Sequence, residues 1–171
     1  MKYVDKRKEK IHHEVFVEGN KDGIEDMFVG KFLTTRREYY DIMGGEKPPE
    51  AKEENHPVAS LNWYECVQYC NKLSEREGLE PAYIVNGKEV TLDLSKDGYY
   101  LPLSEEWLWF ASGGNKSKGF EYAGSNISDE VAWSSENSGG RVHQVGMKKP
   151  NELGIYDCSG LLWEWSSSSE K

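Results

Sequence analysis

Long hydrophobic runs are missing from this 171-residue sequence, so no segment reads as a helix that spans a bilayer. Residues Met1 to His13 also lack the apolar centre of a signal peptide, and the chain therefore reads as cytoplasmic. Positive charge is in deficit. The 21 lysines and arginines face 30 aspartates and glutamates, for a formal net charge of −9. A surface of that sign repels phosphate, which argues against nucleic acid or an anionic membrane as partner. The basic run Lys6-Arg7-Lys8 is followed at once by Glu9 and reads as solvated. Cysteine is scarce as well, and its count of three leaves no complete disulfide framework. Cys66 and Cys70 stand four apart on one face of an expected helix. That spacing suits a weak soft-metal pair but is poor for a disulfide, and buried free thiols are the preferred reading.

What the chain does have is glycine and aromatic side chains. Hydrophobic residues make up 37% and charged residues 30%, the balance of a globular chain rather than a disordered one. Seventeen glycines and a 12% aromatic share point to tight turns around bulky core side chains. Together they favour one irregular α+β domain over residues 1–171, not a helix bundle.

Alternating segments at 11–17 and 26–33, separated by Gly-Asn-Lys-Asp-Gly, predict an N-terminal hairpin. Thr34 or Thr35 caps a short helix that runs through Met43 and stops at Gly44-Gly45. Residues 46–55 hold Pro48-Pro49 and have no period, so they read as loop. The clearest helix runs from Trp63 to Glu77. Asn62 and Glu65 form its capping box, Gly78 ends it, and Trp63, Val67, Cys70 and Leu73 make its apolar stripe. A second hairpin joins residues 82–85 to 88–92 through a type I′ turn at Asn86-Gly87. A helix near 104–111 follows, and then mostly coil with a buried segment at Val131-Ala132-Trp133.

Several of these segments carry a resemblance, in order along the chain. They are Pro57-Val58 through Trp63 with Tyr69-Cys70-Asn71-Lys72-Leu73, then Gly98-Tyr99-Tyr100-Leu101-Pro102 through Trp107. Gly113-Gly114, Tyr122-x-Gly124, Val145-Gly146 and Pro150-Asn151-Glu152-Leu153-Gly154 come next. The set closes with Gly154-Ile155-Tyr156-Asp157-Cys158-Ser159-Gly160-Leu161-Leu162-Trp163-Glu164-Trp165. This ordered set, over about residues 26–165, resembles the formylglycine-generating enzyme (sulfatase-modifying factor) family. The resemblance implies a C-type-lectin-like α+β fold with little regular secondary structure. The chain departs from the family pattern at three places. Tyr100 stands where the family has arginine, Leu103 stands where it has a capping threonine (leaving Ser104 to cap), and Leu161-Leu162 replace its Asn-Val.

The family oxidises a substrate cysteine to formylglycine with oxygen and a copper(I) ion held by two thiolates, which are soft ligands suited to that ion. The resemblance places those cysteines beyond the last motif found here, along with the closing strands. Cys66 and Cys158 do not align with them, so no catalytic residue is assigned, and copper is expected only if a longer chain supplies the pair. An unpaired sheet edge left by those strands offers a place for a partner or a second copy. Residues 166–171 read as a flexible tail.

The family's hallmark loop also binds calcium. Carried over, its ligands are the side chains of Asp157 and Glu164 and the carbonyls of Gly160 and Leu162, a hard oxygen set of the kind calcium takes. The alternative is that the two carboxylates pair with neighbouring amides or with Lys148 and Lys149. Trp63, Trp107, Trp163 and Trp165 are expected in the core as hallmark positions, with Trp109 and Trp133 open, while loss of the closing strands would leave Trp163 and Trp165 poorly covered. His12 and His13 lie on opposite faces of a strand, and neither His56 nor His143 has a nucleophile at a recognisable spacing. Three readings stand: a truncated family member without oxidase activity, a fragment of an active copper oxidase, and a lectin-like module for a protein or small-molecule ligand.

Overall fold

A computed structural model of the chain describes residues 13–45 and 54–167. His12, the Lys6-Arg7-Lys8 run and Pro48-Pro49 lie outside these residues. Strands β1 (Glu14–Val17) and β2 (Met27–Gly30) pair antiparallel, with Val15 opposite Val29. Helix α1 (Arg36–Met43) is capped by Thr35, whose hydroxyl accepts the Glu38 N–H while the Glu38 carboxylate accepts the Thr35 N–H at 2.7 Å. The reciprocal pair satisfies two donors that helix geometry leaves orphaned, which decides between the two threonines.

Helix α2 (Trp63–Glu77) repeats the device with Asn62 and Glu65 and ends at Gly78, whose φ of 75° suits glycine. Its buried face is Val67, Tyr69, Cys70, Leu73 and Ser74. Strands β3 (Tyr83–Asn86) and β4 (Glu89–Leu92) form the second hairpin, with Asn86 opposite Glu89. The turn is therefore centred on Gly87-Lys88, one residue later than the dipeptide suggested. Of those two only Gly87 has positive φ (64°), so the turn is not the type I′, which needs both.

Helix α3 (Ser104–Ala111) corrects another expectation. Leu103, not Ser104, is the capping residue, and the Glu106 carboxylate accepts its N–H at 2.8 Å. Glu106 also accepts the Tyr100 hydroxyl at 2.8 Å, so Tyr100 answers this carboxylate where the family pattern has arginine. Beyond a 3-10 turn at Gly114–Lys116, a four-residue helix α4 (Ser128–Val131) leads into β5 (Ala132–Trp133). That strand pairs in parallel with β6 (Ser159–Gly160). Val131 and Ala132 are buried as expected.

The core is divided. One cluster holds Val17, Phe110, Ala111 and Ile155, a second Tyr39, Tyr69 and Leu73, and a third Val67, Cys70 and Tyr83. Asn151 supports the first. Its amide donates to the Phe110 carbonyl at 2.7 Å, and its Oδ1 accepts the N–H groups of Leu153 and Ile155. No helix among the described residues is long and apolar enough to cross a membrane.

Candidate functional site

The loop 154–165 is built on backbone conformations that most side chains avoid. Asp157, Gly160 and Leu161 all have φ between 60° and 75°. Aspartate and glycine tolerate this region, whereas for leucine it costs about 1–2 kcal/mol. Gly160 is also required by space, because a Cβ there would lie 2.2 Å from the Trp133 carbonyl oxygen. Three main-chain bonds fix the loop. The N–H groups of Tyr156, Leu161 and Leu162 donate to the carbonyls of Lys31, Trp133 and Gly160 respectively.

Asp157 is buried, and its Oδ2 accepts the Gly146 N–H at 2.7 Å. Burial raises its pKa, and the Gly146 bond opposes the rise. Glu164 accepts the Trp107 indole N–H at 3.3 Å. The residue is exposed as a whole, but its carboxylate is stripped of water, which pushes the pKa up to about 7, with the Asp157 charge adding to the rise. Neither carboxylate pairs with Lys148 or Lys149. Lys149 bridges to Glu130 at 3.0 Å, and the Lys148 Nζ donates to the Asp129 carbonyl. The structure thus brings together two carboxylates that repel one another beside a kinked main chain. Among the described residues no three His, Cys, Asp or Glu side chains converge as a metal cluster, so any cation here relies on main-chain carbonyls.

Beside this loop lies a groove of about 850 Å³. Its lining includes Tyr39, Tyr69, Cys70, Phe110 and Ile155, so all three core clusters open onto it. All three cysteines line it too. Burial pushes the Cys66 thiol up to about 11 and Cys70 up to about 12, and also raises Cys158, to which Glu164 and Asp157 add. These are free thiols whose burial disfavours the thiolate.

Two tryptophans depart from the core reading. Trp163 is 101% exposed and Trp165 51%, both at the groove. Trp165 is still held by a 2.9 Å bond from its indole to the Leu61 carbonyl. Trp63 and Trp107 are half-buried against the clusters. The last described residues are tied down. Ser166 accepts the Trp63 indole N–H, and Ser167 donates to the Pro102 carbonyl.

Of the histidines, His143 stacks on Trp133 with ring centroids 3.7 Å apart, and Lys148 sits over the same ring at 4.1 Å. His56 keeps a buried Nδ1 without a partner, and His13 meets Phe32 edge-on. The groove was not legible in the sequence, because its walls come from segments more than a hundred residues apart.

The sulfatase-modifying factor enzyme 1-like domain matches residues 7–171. The chain is 36% identical over 183 aligned positions to Chaperone protein LppX of Paenibacillus barcinonensis, covering 86% of this chain and 65%, just under two thirds, of that protein. Among solved structures it resembles CarF, with a TM-score of 0.79 and 25% identity over 92% of this chain and 80% of CarF. It also resembles Treponema denticola variable protein 1, with a TM-score of 0.68 and 25% identity over 94% of this chain and 73% of that one.

Proposed function

The chain belongs to the sulfatase-modifying factor enzyme 1-like domain family, and from that premise we propose a divergent member that holds polypeptide rather than oxidising it. The observation that carries this reading is the groove, whose lining draws on all three core clusters and leaves Phe28, Leu94, Trp163 and Trp165 exposed along it. Apolar area of that extent favours association once a partner removes it from water. The 36% identity to a protein named as a chaperone supports the same reading.

Copper chemistry does not fit the residues in hand. Cu(I) asks for two accessible thiolates, whereas burial disfavours the thiolate form of Cys66, Cys70 and Cys158, and Cys70 is buried outright. The rival, a copper oxidase completed by further residues, draws on the partial coverage of LppX.

Calcium fits better, as a structural ion held by Asp157, Glu164 and the carbonyls of Gly160 and Leu162. Bound there, it supplies the charge that two mutually repelling carboxylates lack.

The experiment pairs two assays on the purified chain. In the first, a chemically unfolded apolar protein is diluted into buffer with increasing amounts of the chain, and light scattering should fall stoichiometrically. No suppression at any ratio overturns the polypeptide-holding reading. In the second, the chain is given Cu(I), oxygen and a cysteine peptide. Oxygen uptake with formylglycine in the peptide mass spectrum would install the oxidase instead.

A further inference from the structure

Resting on the polypeptide-holding reading, we infer that the groove takes a segment of an incompletely folded protein in which apolar side chains alternate with lysine or arginine. The floor explains the apolar half. Tyr39, Tyr69 and Leu73 of one core cluster and Phe110 and Ile155 of another line it, with Phe28, Leu94, Trp163 and Trp165 exposed beside them. A segment laid along it joins them into one dry interior.

The rim explains the basic half. Glu14, Glu25, Asp26, Asp97, Glu105 and Glu106 line the groove besides Glu164, and the lining holds no lysine, arginine or histidine among the described residues. Where these carboxylates are engaged, hydroxyl and backbone donors engage them. Tyr99 donates to Glu14, the Gly19 N–H to Asp26 and the Glu80 N–H to Asp97, while Tyr100 and Leu103 serve Glu106. Of these carboxylates only Asp97 is offset by a described cation, the neighbouring Lys96, and no ion pair among the described residues reaches the others. The exposed indoles of Trp163 and Trp165 stand at the same groove and offer π faces to a guanidinium or ammonium group. A neutral apolar segment brings these carboxylates no opposite charge, and an acidic one is repelled.

The test is fluorescence anisotropy of short labelled peptides against the full chain. Three are compared: alternating leucine and lysine, leucine and glutamate, and serine and lysine. The leucine–lysine peptide should bind best, shift the tryptophan emission, and weaken as salt is added. The double variant Glu25→Lys, Glu105→Lys should weaken it by about tenfold or more. Glu121→Lys with Glu136→Lys, both outside the groove, should leave binding within about twofold and so separates the groove from the general charge of −9. If the reversed variant misfolds by circular dichroism, Glu25→Gln with Glu105→Gln serves in its place.

Equal binding of the leucine–glutamate peptide, equal loss in both double variants, or a concentration-dependent dimer that blocks the groove would each overturn the inference. If unfolded protein is still held in solution while the leucine–lysine peptide fails to bind, only the basic specificity falls. If neither happens, the polypeptide-holding reading falls with it.

Discussion

Replacing Asn151 by alanine should cost more than any other single polar change in the described residues. The side chain is 5% exposed and joins two parts of the fold that are forty residues apart in sequence. Its amide donates to the Phe110 carbonyl, and its Oδ1 accepts from Leu153 at 3.0 Å and from Ile155 at 3.1 Å. Phe110 keeps a second donor in the Gly113 N–H, and Leu153 is near enough to solvent to find water. Ile155 is 3% exposed, so its N–H is left buried and unpaired. A fourth, longer bond from the amide to the Ala111 carbonyl at 3.3 Å adds little. The three shorter bonds at about 1 kcal/mol each, with the added cost of one orphaned donor, give a loss of about 4 kcal/mol. That is a large part of the roughly 5–15 kcal/mol that holds a domain together. With a urea m-value of about 2 kcal/mol/M, the midpoint should fall by about 2 M at unchanged slope, read by tryptophan fluorescence. Asn126→Ala, which removes one exposed bond to Glu121, is the control and should cost about 1 kcal/mol or less. A loss under about 1 kcal/mol for Asn151→Ala would refute the argument that this residue clamps the hallmark loop to α3.

Leu161, at φ 65°, should become more comfortable as asparagine or glycine, and Leu161→Asn should raise stability by about 1 kcal/mol in the same urea assay. Glu164 is a carboxyl whose folded pKa is raised, to about 7 from 4.5, so its contribution to stability is full at acidic pH and is lost as pH rises through about 7. Accordingly Glu164→Gln should raise the melting temperature at pH 8 and leave it unchanged near pH 4. Millimolar calcium should do the same to the parent chain at pH 8 but not to the variant; a calcium-induced shift of equal size in the two would remove the site. With an aromatic disulfide reagent at pH 8, Cys66, Cys70 and Cys158 should all react slowly in the folded state and rapidly in urea, since burial raises every one of them. Fast reaction of one thiol in the native protein would reopen the soft-metal reading.

What the sequence determined by itself was local. Capping chemistry acts over three residues, so Asn62 with Glu65 marked the start of α2 and Gly78 its end. The ordered motifs from Pro57 to Trp165 likewise carried the family and its fold. Where a local rule had two answers, tertiary contacts chose. Strand register moved the second turn to Gly87-Lys88, and the Glu106 carboxylate made Leu103 a helix cap. For Trp163 and Trp165 the sequence readings were divided. Hallmark positions place both rings in the core, whereas the truncated reading leaves them poorly covered, and the arrangement of their neighbours in space decides for exposure. The groove belongs to the same class. Its floor joins α1, α2, α3 and the loop after Asn151, and its acidic rim gathers carboxylates from residue 14 to residue 164. No periodicity or spacing encodes that meeting, because it is set by how three small core clusters pack and by the space they leave between them.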